Sequence, residues 1–245
     1  MSILVLIHGA EMGSWMWEKV IPYLESLGHQ VVTFDLPGSY ENTCSLENIR
    51  LASYVSRTVY VIQSLAKPVF LVGHSFGGMV ISQVGELIPD RIQGLIYLSA
   101  FLPMNGQCAM ELVQLDTDGA HRYANEFLDE HMCRTKAETI EEIYLSDCTA
   151  EIIQWGITNC RPQAFKVMMD STKLSKERFG KLKKIYISCL QDRCISPIVQ
   201  KLMYTRTPCD DIFTLQAGHM PSLSIPGRLA DLLGTIVEKY EVQKV

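Results

Sequence analysis

Short apolar runs that alternate with longer amphipathic segments constrain the fold of this chain more than any other feature. Most of the runs are continuously apolar, as expected of strands that are covered on both faces. Six such runs predict strands, at Ile3–Ile7, Val31–Phe34, Val69–Val72, Leu95–Leu98, Ile185–Leu190 and Ile212–Leu215. Helical patterns separate them, at about Ser14–Leu27, Leu46–Leu65, Gly77–Leu87 and Pro226–Tyr240. This order predicts an α/β fold with a six-stranded, mostly parallel sheet flanked by helices.

The alternation stops between residues 104 and 180, where no clear strand is visible. Thr135 and Glu138 have the spacing of a capping box, which predicts a helix that begins near Ala137. Two more helices are predicted at Thr149–Gly156 and Pro162–Met169. An insertion that follows the carboxyl end of a strand lies over the edge at which α/β sheets bind ligands. We therefore predict a core of residues 1–103 and 181–245 with a helical cap, residues 104–180, inserted in it.

Composition and charge exclude several functions. The 245 residues carry 22 Lys and Arg against 27 Asp and Glu, with no basic stripe, so no nucleic-acid partner is predicted. No apolar run approaches the ~18 residues of a membrane span, and the apolar N-terminus lacks a basic start, so no membrane association is predicted. Eight scattered cysteines without a C-x-x-C pair predict reduced thiols and a cytoplasmic location. Without a P-loop or a zinc-ligand pattern, neither a metal nor a cofactor is predicted.

The segment Gly73-His74-Ser75-Phe76-Gly77-Gly78 is the sharpest local signal in the chain. It follows a predicted strand and opens a predicted helix, which is the context that a G-x-S-x-G nucleophile elbow requires. The tight turn needs small residues two positions before and after the serine, and it exposes the hydroxyl at a helix N-terminus that favours negative charge. Ser75 is therefore predicted to be a catalytic nucleophile.

A serine nucleophile needs a general base, and His219 is the predicted one. It lies just past the carboxyl end of the last predicted strand, in a loop able to reach Ser75. The other histidines are expected to pack or to lie at the surface: His8, His29, His74, His121 and His131. For His8 we expect a structural hydrogen bond in the first loop.

The base needs a carboxylate to hold its tautomer and stabilise imidazolium. Asp192 follows the strand Ile185–Leu190 at the same edge of the sheet, and it lies between the serine and the histidine in the chain, as this architecture requires. Asp210 and Asp211 precede their strand and belong to the opposite edge. Asp35 precedes the serine and is expected to organise its loop.

The tetrahedral intermediate of acyl transfer needs two hydrogen-bond donors for its oxyanion. We expect one to be the backbone N–H of Phe76, the residue after the nucleophile. The second is expected from the loop after the first strand, where Gly9 lets the backbone approach the substrate and Ala10 presents its N–H.

With these residues in place, the whole chain resembles the α/β-hydrolases, and within them the plant methylesterase and hydroxynitrile lyase family with its bacterial esterase relatives. Two motifs identify this family more specifically than the elbow does. They are Gly13-x-Trp15-x-Trp17 near the N-terminus and Gly218-His219-Met220 near the C-terminus. The resemblance covers VLIHGAEMGSWMWEKVIPYLESLGHQVVTFDLPGS, LVGHSFGG, KIYISCLQDRCISP and AGHMPSLSIP. It implies a helical cap over the serine, a small-molecule carboxyl-ester substrate and often a homodimer.

Two positions separate the branches of that family. Hydroxynitrile lyases that resemble this chain carry threonine where Gly9 stands and a cyanide-binding lysine where Met220 stands. The resemblance therefore implies an esterase. Hydroxynitrile lyase, thioesterase or biosynthetic cyclase activity on the same site, and a slowly hydrolysing small-molecule receptor, are the alternatives.

The cap is expected to set substrate choice. Met110 and Trp155 are candidates to line an apolar pocket together with Gly9 and Met220, and Leu112, Met132 and Met168 are further candidates. Packing between cap and core is an equal explanation for each of these side chains.

Overall fold

A six-stranded sheet forms the centre of the molecule, in the order β2-β1-β3-β4-β8-β9, with every neighbouring pair parallel. The structure is a computed structural model that describes residues 1–117, 119 and 125–242. The sheet predicted from the apolar runs is confirmed. Its strands are β1 Ile3–Ile7, β2 Gln30–Thr33, β3 Val69–His74, β4 Ile92–Leu98, β8 Lys184–Cys189 and β9 Asp211–Leu215.

Helices cover the sheet, and they differ in detail from the predicted bounds. They are α1 Ile21–Ser26, α2 Leu51–Ser64, α3 Gly77–Leu87, α4 Ala109–Leu115, α5 Ala137–Tyr144, α6 Ala150–Asn159, α7 Lys166–Met169, α8 Pro197–Arg206, α9 Pro221–Ser224 and α10 Pro226–Val242. Short 3₁₀ turns occupy Ser14–Trp17, Pro89–Arg91 and Phe179–Lys181.

Two helices predicted near the N-terminus are shorter than expected. The segment Ser14–Leu27 divides into a 3₁₀ turn and α1, because Pro22 has no N–H to continue one helix and is tolerated only in the first turn of a new one. The helix predicted from Leu46 begins at Leu51 instead. The carboxylate of Asp170 fixes that start, since it accepts the Leu51 N–H at 2.8 Å and pairs with Arg50.

The inserted segment is not wholly helical, so the helical-cap prediction is wrong in this respect. It contains a three-stranded antiparallel sheet of β5 Asn125–Phe127, β6 Met132–Thr135 and β7 Gln163–Ala164. Strands of two to four residues are too short to show a period-2 pattern in the sequence. The predicted helix Pro162–Met169 is accordingly reduced to α7, preceded by β7. The boundaries 104 and 180 stay a prediction.

The core of the fold brings α3 very close to the loop that follows β4. A β-carbon placed on Gly78 would lie 2.0 Å from the carbonyl oxygen of Phe101, far inside van der Waals contact. None of the eight cysteines, all of which lie in the described ranges, forms a disulfide. Within those ranges no helix has the length and apolarity to cross a membrane.

The close approach at Gly78 makes a stability prediction. Gly78→Ala should lower the free energy of unfolding by about 2–3 kcal/mol, because the new methyl group meets backbone that cannot rotate away. Urea denaturation monitored by circular dichroism measures this. Gly227→Ala in α10, where the nearest atoms are 3.6 Å from the added carbon, is the control and should change stability by less than about 1 kcal/mol. Equal effects of both substitutions would contradict the packing argument.

Candidate active site

Ser75 sits in a strained turn between β3 and α3. Its φ is +51°, in the left-handed region that non-glycine residues rarely adopt. A β-carbon on Gly73 would lie 2.7 Å from the carbonyl oxygen of Gly77, so the residue at this position has to lack a side chain. The serine side chain is almost fully buried. The turn therefore has the backbone geometry of a nucleophile elbow.

His219 and Asp192 meet in the loops that follow β9 and β8. His219 Nδ1 donates a hydrogen bond to Asp192 Oδ2 at 2.8 Å, and both residues are buried. Because Nδ1 carries the proton, Nε2 is the ring nitrogen left to act as a base. The structure thus brings Asp192 and His219 into contact. This contact was predicted from their order in the chain and from their place at one edge of the sheet.

Asp192 is supported by more donors than its histidine alone. Oδ1 accepts the backbone N–H groups of Cys194 at 2.7 Å and Ile195 at 3.0 Å. Oδ2 accepts the Ser99 hydroxyl and the Gln200 amide, the latter at 3.1 Å. A buried carboxylate needs such donors to remain charged. The network holds the orientation of Asp192 toward His219.

His74, the residue before the serine, links the elbow to the histidine loop. Its Nε2 donates to the backbone carbonyl of His219 at 2.8 Å, and the two rings lie 4.7 Å apart between centroids. Burial, and then the neighbouring His219, hold the pKa of His74 well below its usual range. His74 therefore stays neutral and acts as a fixed hydrogen-bond donor that places the His219 backbone beside Ser75.

Ser75 and His219 share no hydrogen bond in the described part of the chain, although His74 joins their backbones. Catalytic hydrogen bonds of this kind are often long without substrate and tighten in the complex. The geometry thus contains the histidine–aspartate pair in its bonded form, and His74 links that pair to the elbow that carries Ser75.

The loop after β1 closes on the serine from the other side. A β-carbon on Gly9 would lie 2.8 Å from Ser75 Cβ, which measures how near this backbone comes. Over the residues that the structure describes, the backbone N–H groups of Ala10 and Phe76 have no hydrogen-bond partner. Both donors remain available to an oxyanion next to Ser75.

His8 orders this same loop rather than taking part in chemistry. Its Nδ1 donates to the Gly9 carbonyl at 2.8 Å and its Nε2 accepts the Leu36 N–H at 3.1 Å. Burial lowers its pKa, which keeps the ring neutral. This is the structural hydrogen bond that the sequence argument expected of it.

The three other carboxylates that were considered as partners of His219 lie away from it, as predicted. Asp35 organises its loop by accepting the backbone N–H groups of Ser14 at 2.7 Å and Glu41 at 3.1 Å. Asp210 pairs with Lys183 at 2.7 Å, and Asp211 with Lys239 at 2.6 Å, at the opposite edge of the sheet. None of these three carboxylates hydrogen-bonds to His219 within the described residues.

The candidate pocket residues have mixed environments. Met220 is fully buried directly after His219, and Met110 is half-buried against the core. Trp155 packs edge-on against Trp15 with ring centroids 4.9 Å apart, which is a contact between cap and core. Their role in a pocket stays a prediction. His121 lies outside the described residues.

Sequence reasoning missed several polar residues of the site. Ser99 follows β4 at the active edge and adopts a positive φ of 44°, and its place directly after a strand was a readable signal. Gln200 reaches Asp192 from α8 and leaves no signal in the sequence. Glu11 and Tyr144 were also missed. The predicted Thr135–Glu138 capping box is absent because the Thr135 hydroxyl bonds to Glu11.

Comparison with known proteins agrees with this architecture. A protein family described as the alpha/beta hydrolase fold matches residues 2–224. The chain is similar to putative methylesterase 11, chloroplastic, of Arabidopsis thaliana, with 28% identity over 94% of this chain and 62% of that protein. It is 29% identical to salicylic acid-binding protein 2 of Nicotiana tabacum, over 96% of this chain and 97% of that one. The crystal structure of polyneuridine aldehyde esterase superposes with a TM-score of 0.89, at 26% identity, covering 97% and 99% of the two chains.

The histidine–aspartate bond predicts the effect of an isosteric substitution. Asp192→Asn should lower kcat by about 10⁴-fold, because an amide no longer fixes the proton on Nδ1. Steady-state kinetics on an activated ester measures the effect. Asp210→Asn, a matched change at the far edge of the sheet, should leave kcat within about twofold, since it touches no group of the site. A full-rate Asp192→Asn enzyme would contradict the assignment.

Proposed function

The chain belongs to the α/β-hydrolase fold family, and we propose that it is a carboxylic ester hydrolase that acts through Ser75, His219 and Asp192. The buried 2.8 Å hydrogen bond between His219 and Asp192, held beside the strained Ser75 turn, carries this proposal. The names of similar proteins, which include methylesterases and an esterase, support the same reaction class.

The reaction begins with proton transfer from Ser75 Oγ to His219 Nε2. The serine oxygen attacks the ester carbonyl, and the resulting oxyanion accepts the N–H groups of Ala10 and Phe76. His219 returns its proton to the alcohol oxygen, the C–O bond breaks, and an acyl group remains on Ser75. A water molecule then gives a proton to His219 and attacks the acyl carbon. The bond to Ser75 Oγ breaks, the acid leaves, and His219 returns the proton to Oγ.

Burial makes each polar group of this site more effective. Ser75, His219 and Asp192 are all less than a tenth exposed, so water does not screen the histidine–aspartate pair. Asp192 stabilises the imidazolium that forms in each half-reaction without taking its proton. A fixed oxyanion donor of this kind is worth ~3–4 kcal/mol of barrier.

The surroundings of His219 favour a small neutral ester, and a methyl ester is the substrate class we propose. The next residue, Met220, is apolar and fully buried. No lysine or arginine bonds to His219 in the part of the chain that the structure describes. Cyanide, the leaving group of a cyanohydrin, would find no cation there, so we propose ester hydrolysis over hydroxynitrile cleavage.

A substrate panel tests this function. Wild-type protein should hydrolyse p-nitrophenyl acetate and at least one methyl ester above background, and Ser75→Ala should abolish both activities because no other group replaces the nucleophile. Released p-nitrophenol and acid are measured with matched thioesters and with mandelonitrile as the cyanohydrin.

Circular dichroism of Ser75→Ala is the control, and it should match that of the wild type. Ester turnover that persists in Ser75→Ala would refute the nucleophile. Cyanide release from mandelonitrile faster than hydrolysis of every ester would reverse the choice of reaction.

A further inference from the structure

Glu11 is a buried carboxylate in the loop after β1, one residue beyond Ala10. Only 5% of the residue is exposed, and its φ of +62° is unusual for a residue with a side chain. The proposed acyl transfer gives it no part. A buried acid next to a proposed oxyanion donor therefore needs an explanation.

The Glu11 carboxylate is bonded most closely to Thr135 of the cap. Its two oxygens accept the Thr135 N–H at 2.9 and 3.0 Å, and Oε1 also accepts the Thr135 hydroxyl at 2.9 Å. The Glu11 backbone carbonyl accepts the Arg161 N–H at 2.9 Å. The loop that carries Ala10 is thus anchored to the cap at both its backbone and its side chain.

The same contacts continue to the catalytic histidine. The Tyr144 hydroxyl lies 2.7 Å from the Thr135 hydroxyl and 3.5 Å from Glu11 Oε1. The Tyr144 ring stacks on the His219 ring, with centroids 5.7 Å apart and an interplanar angle of 30°.

A second bond fixes the other end of this cap segment. Asp147 Oδ2 accepts the backbone N–H of Gly218, the residue before the histidine, at 2.7 Å. The segment Thr135–Asp147, which contains α5, therefore joins the loop of Ala10 to the loop of His219. We call it the brace.

We propose that Glu11 is a positioning residue. Through the brace it fixes the position of the Ala10 N–H relative to Ser75 and His219. This inference rests on the proposed function, since it assigns Glu11 to the oxyanion side of that reaction. Glu11 touches no reacting atom. Its effect passes through the backbone of Ala10 and through Thr135 and Tyr144.

The charge at Glu11 costs stability. Burial raises the pKa of this carboxyl to about 7, against hydrogen bonds from Thr135 and Tyr144 that lower it. The positive charge of Arg134 also lowers this pKa, but Arg134 is exposed and pairs with Glu126 at 2.6 Å. The titratable and charged groups that face Glu11 are Cys133, Arg134, Tyr144, Cys160, Arg161 and Cys194.

The sign of this cost follows from the direction of the shift. A carboxyl whose pKa is higher in the folded state than in the unfolded state makes its full contribution to the free energy of unfolding below its ordinary pKa of 4.5. That contribution is lost as the pH rises to about 7. Glu11→Gln keeps an oxygen acceptor for Thr135 and removes the buried charge. At pH 8 the variant should therefore unfold at the same temperature as the wild type or at a higher one.

The experiment compares activity with stability in Glu11→Gln. We expect kcat for a Ser75-dependent ester to fall about tenfold or more at pH 8, with KM changed less than about threefold, because a displaced oxyanion donor weakens binding of the transition state alone. Thr135→Val should lower kcat similarly, and the double variant should lose little more. Glu177→Gln, a change at an exposed glutamate outside the brace, is the matched control and should match the wild type.

Three results would overturn the proposal. One is a kcat of Glu11→Gln within twofold of the wild type. Another is a rise in KM with kcat unchanged, which would assign Glu11 a role in substrate binding. The third is a fall in kcat that merely follows a lower melting temperature at pH 8, as a purely structural role requires.

Failure of the proposed function is distinguishable from failure of this inference. If wild-type protein hydrolyses no ester of the panel, ester hydrolysis fails, and the rate at which a fluorophosphonate labels Ser75 replaces kcat as the readout. Labelling uses the same oxyanion donors, so Glu11→Gln should slow it about tenfold. An unchanged labelling rate, or no labelling of the wild type, would overturn the role of Glu11.

Discussion

The hydrogen bond between His219 and Asp192 is the interaction on which the rest of this site depends. An ionised carboxylate inside the fold is tolerated only with full hydrogen bonding, and Asp192 accepts five donors. Those donors come from the end of β4, from the loops after β8 and β9, and from α8. The parallel sheet brings these elements to one edge, so the fold itself supplies the environment in which the pair can work.

Two further carboxylates, the buried Glu11 and the exposed Asp147, join the cap to the core. Glu11 reaches from the core to Thr135 in the cap, and Asp147 reaches from the cap to Gly218 in the core. Each carboxylate accepts a backbone N–H group. A backbone donor is less mobile than a long charged side chain, so these bonds hold the two loops firmly. These bonds tie the cap to both loops of the candidate site, and the proposed positioning role gives a reason for a carboxylate at Glu11 despite the cost of burying it.

The sequence predicted the parts of this structure that local rules control. Continuous apolar runs located every strand of the main sheet, and glycine spacing located the Ser75 turn, because β-strand burial and turn sterics act over a few residues. The cap strands, the start of α2 at Leu51 and the role of Glu11 were not predictable. The start of α2 and the role of Glu11 depend on partners more than 100 residues away, Asp170 and Thr135. The cap strands are too short to show a periodic pattern.

The central claim is that Ser75 becomes acylated when His219 and Asp192 activate it. Rapid acid quenching of the protein with p-nitrophenyl acetate, followed by peptide mass spectrometry, tests this directly. The account predicts an acetyl group on the peptide that contains Ser75, formed in the wild type and far more slowly in a His219→Ala variant. Acetylation of a cysteine or lysine instead, or turnover with no covalent adduct at any time point, would contradict it.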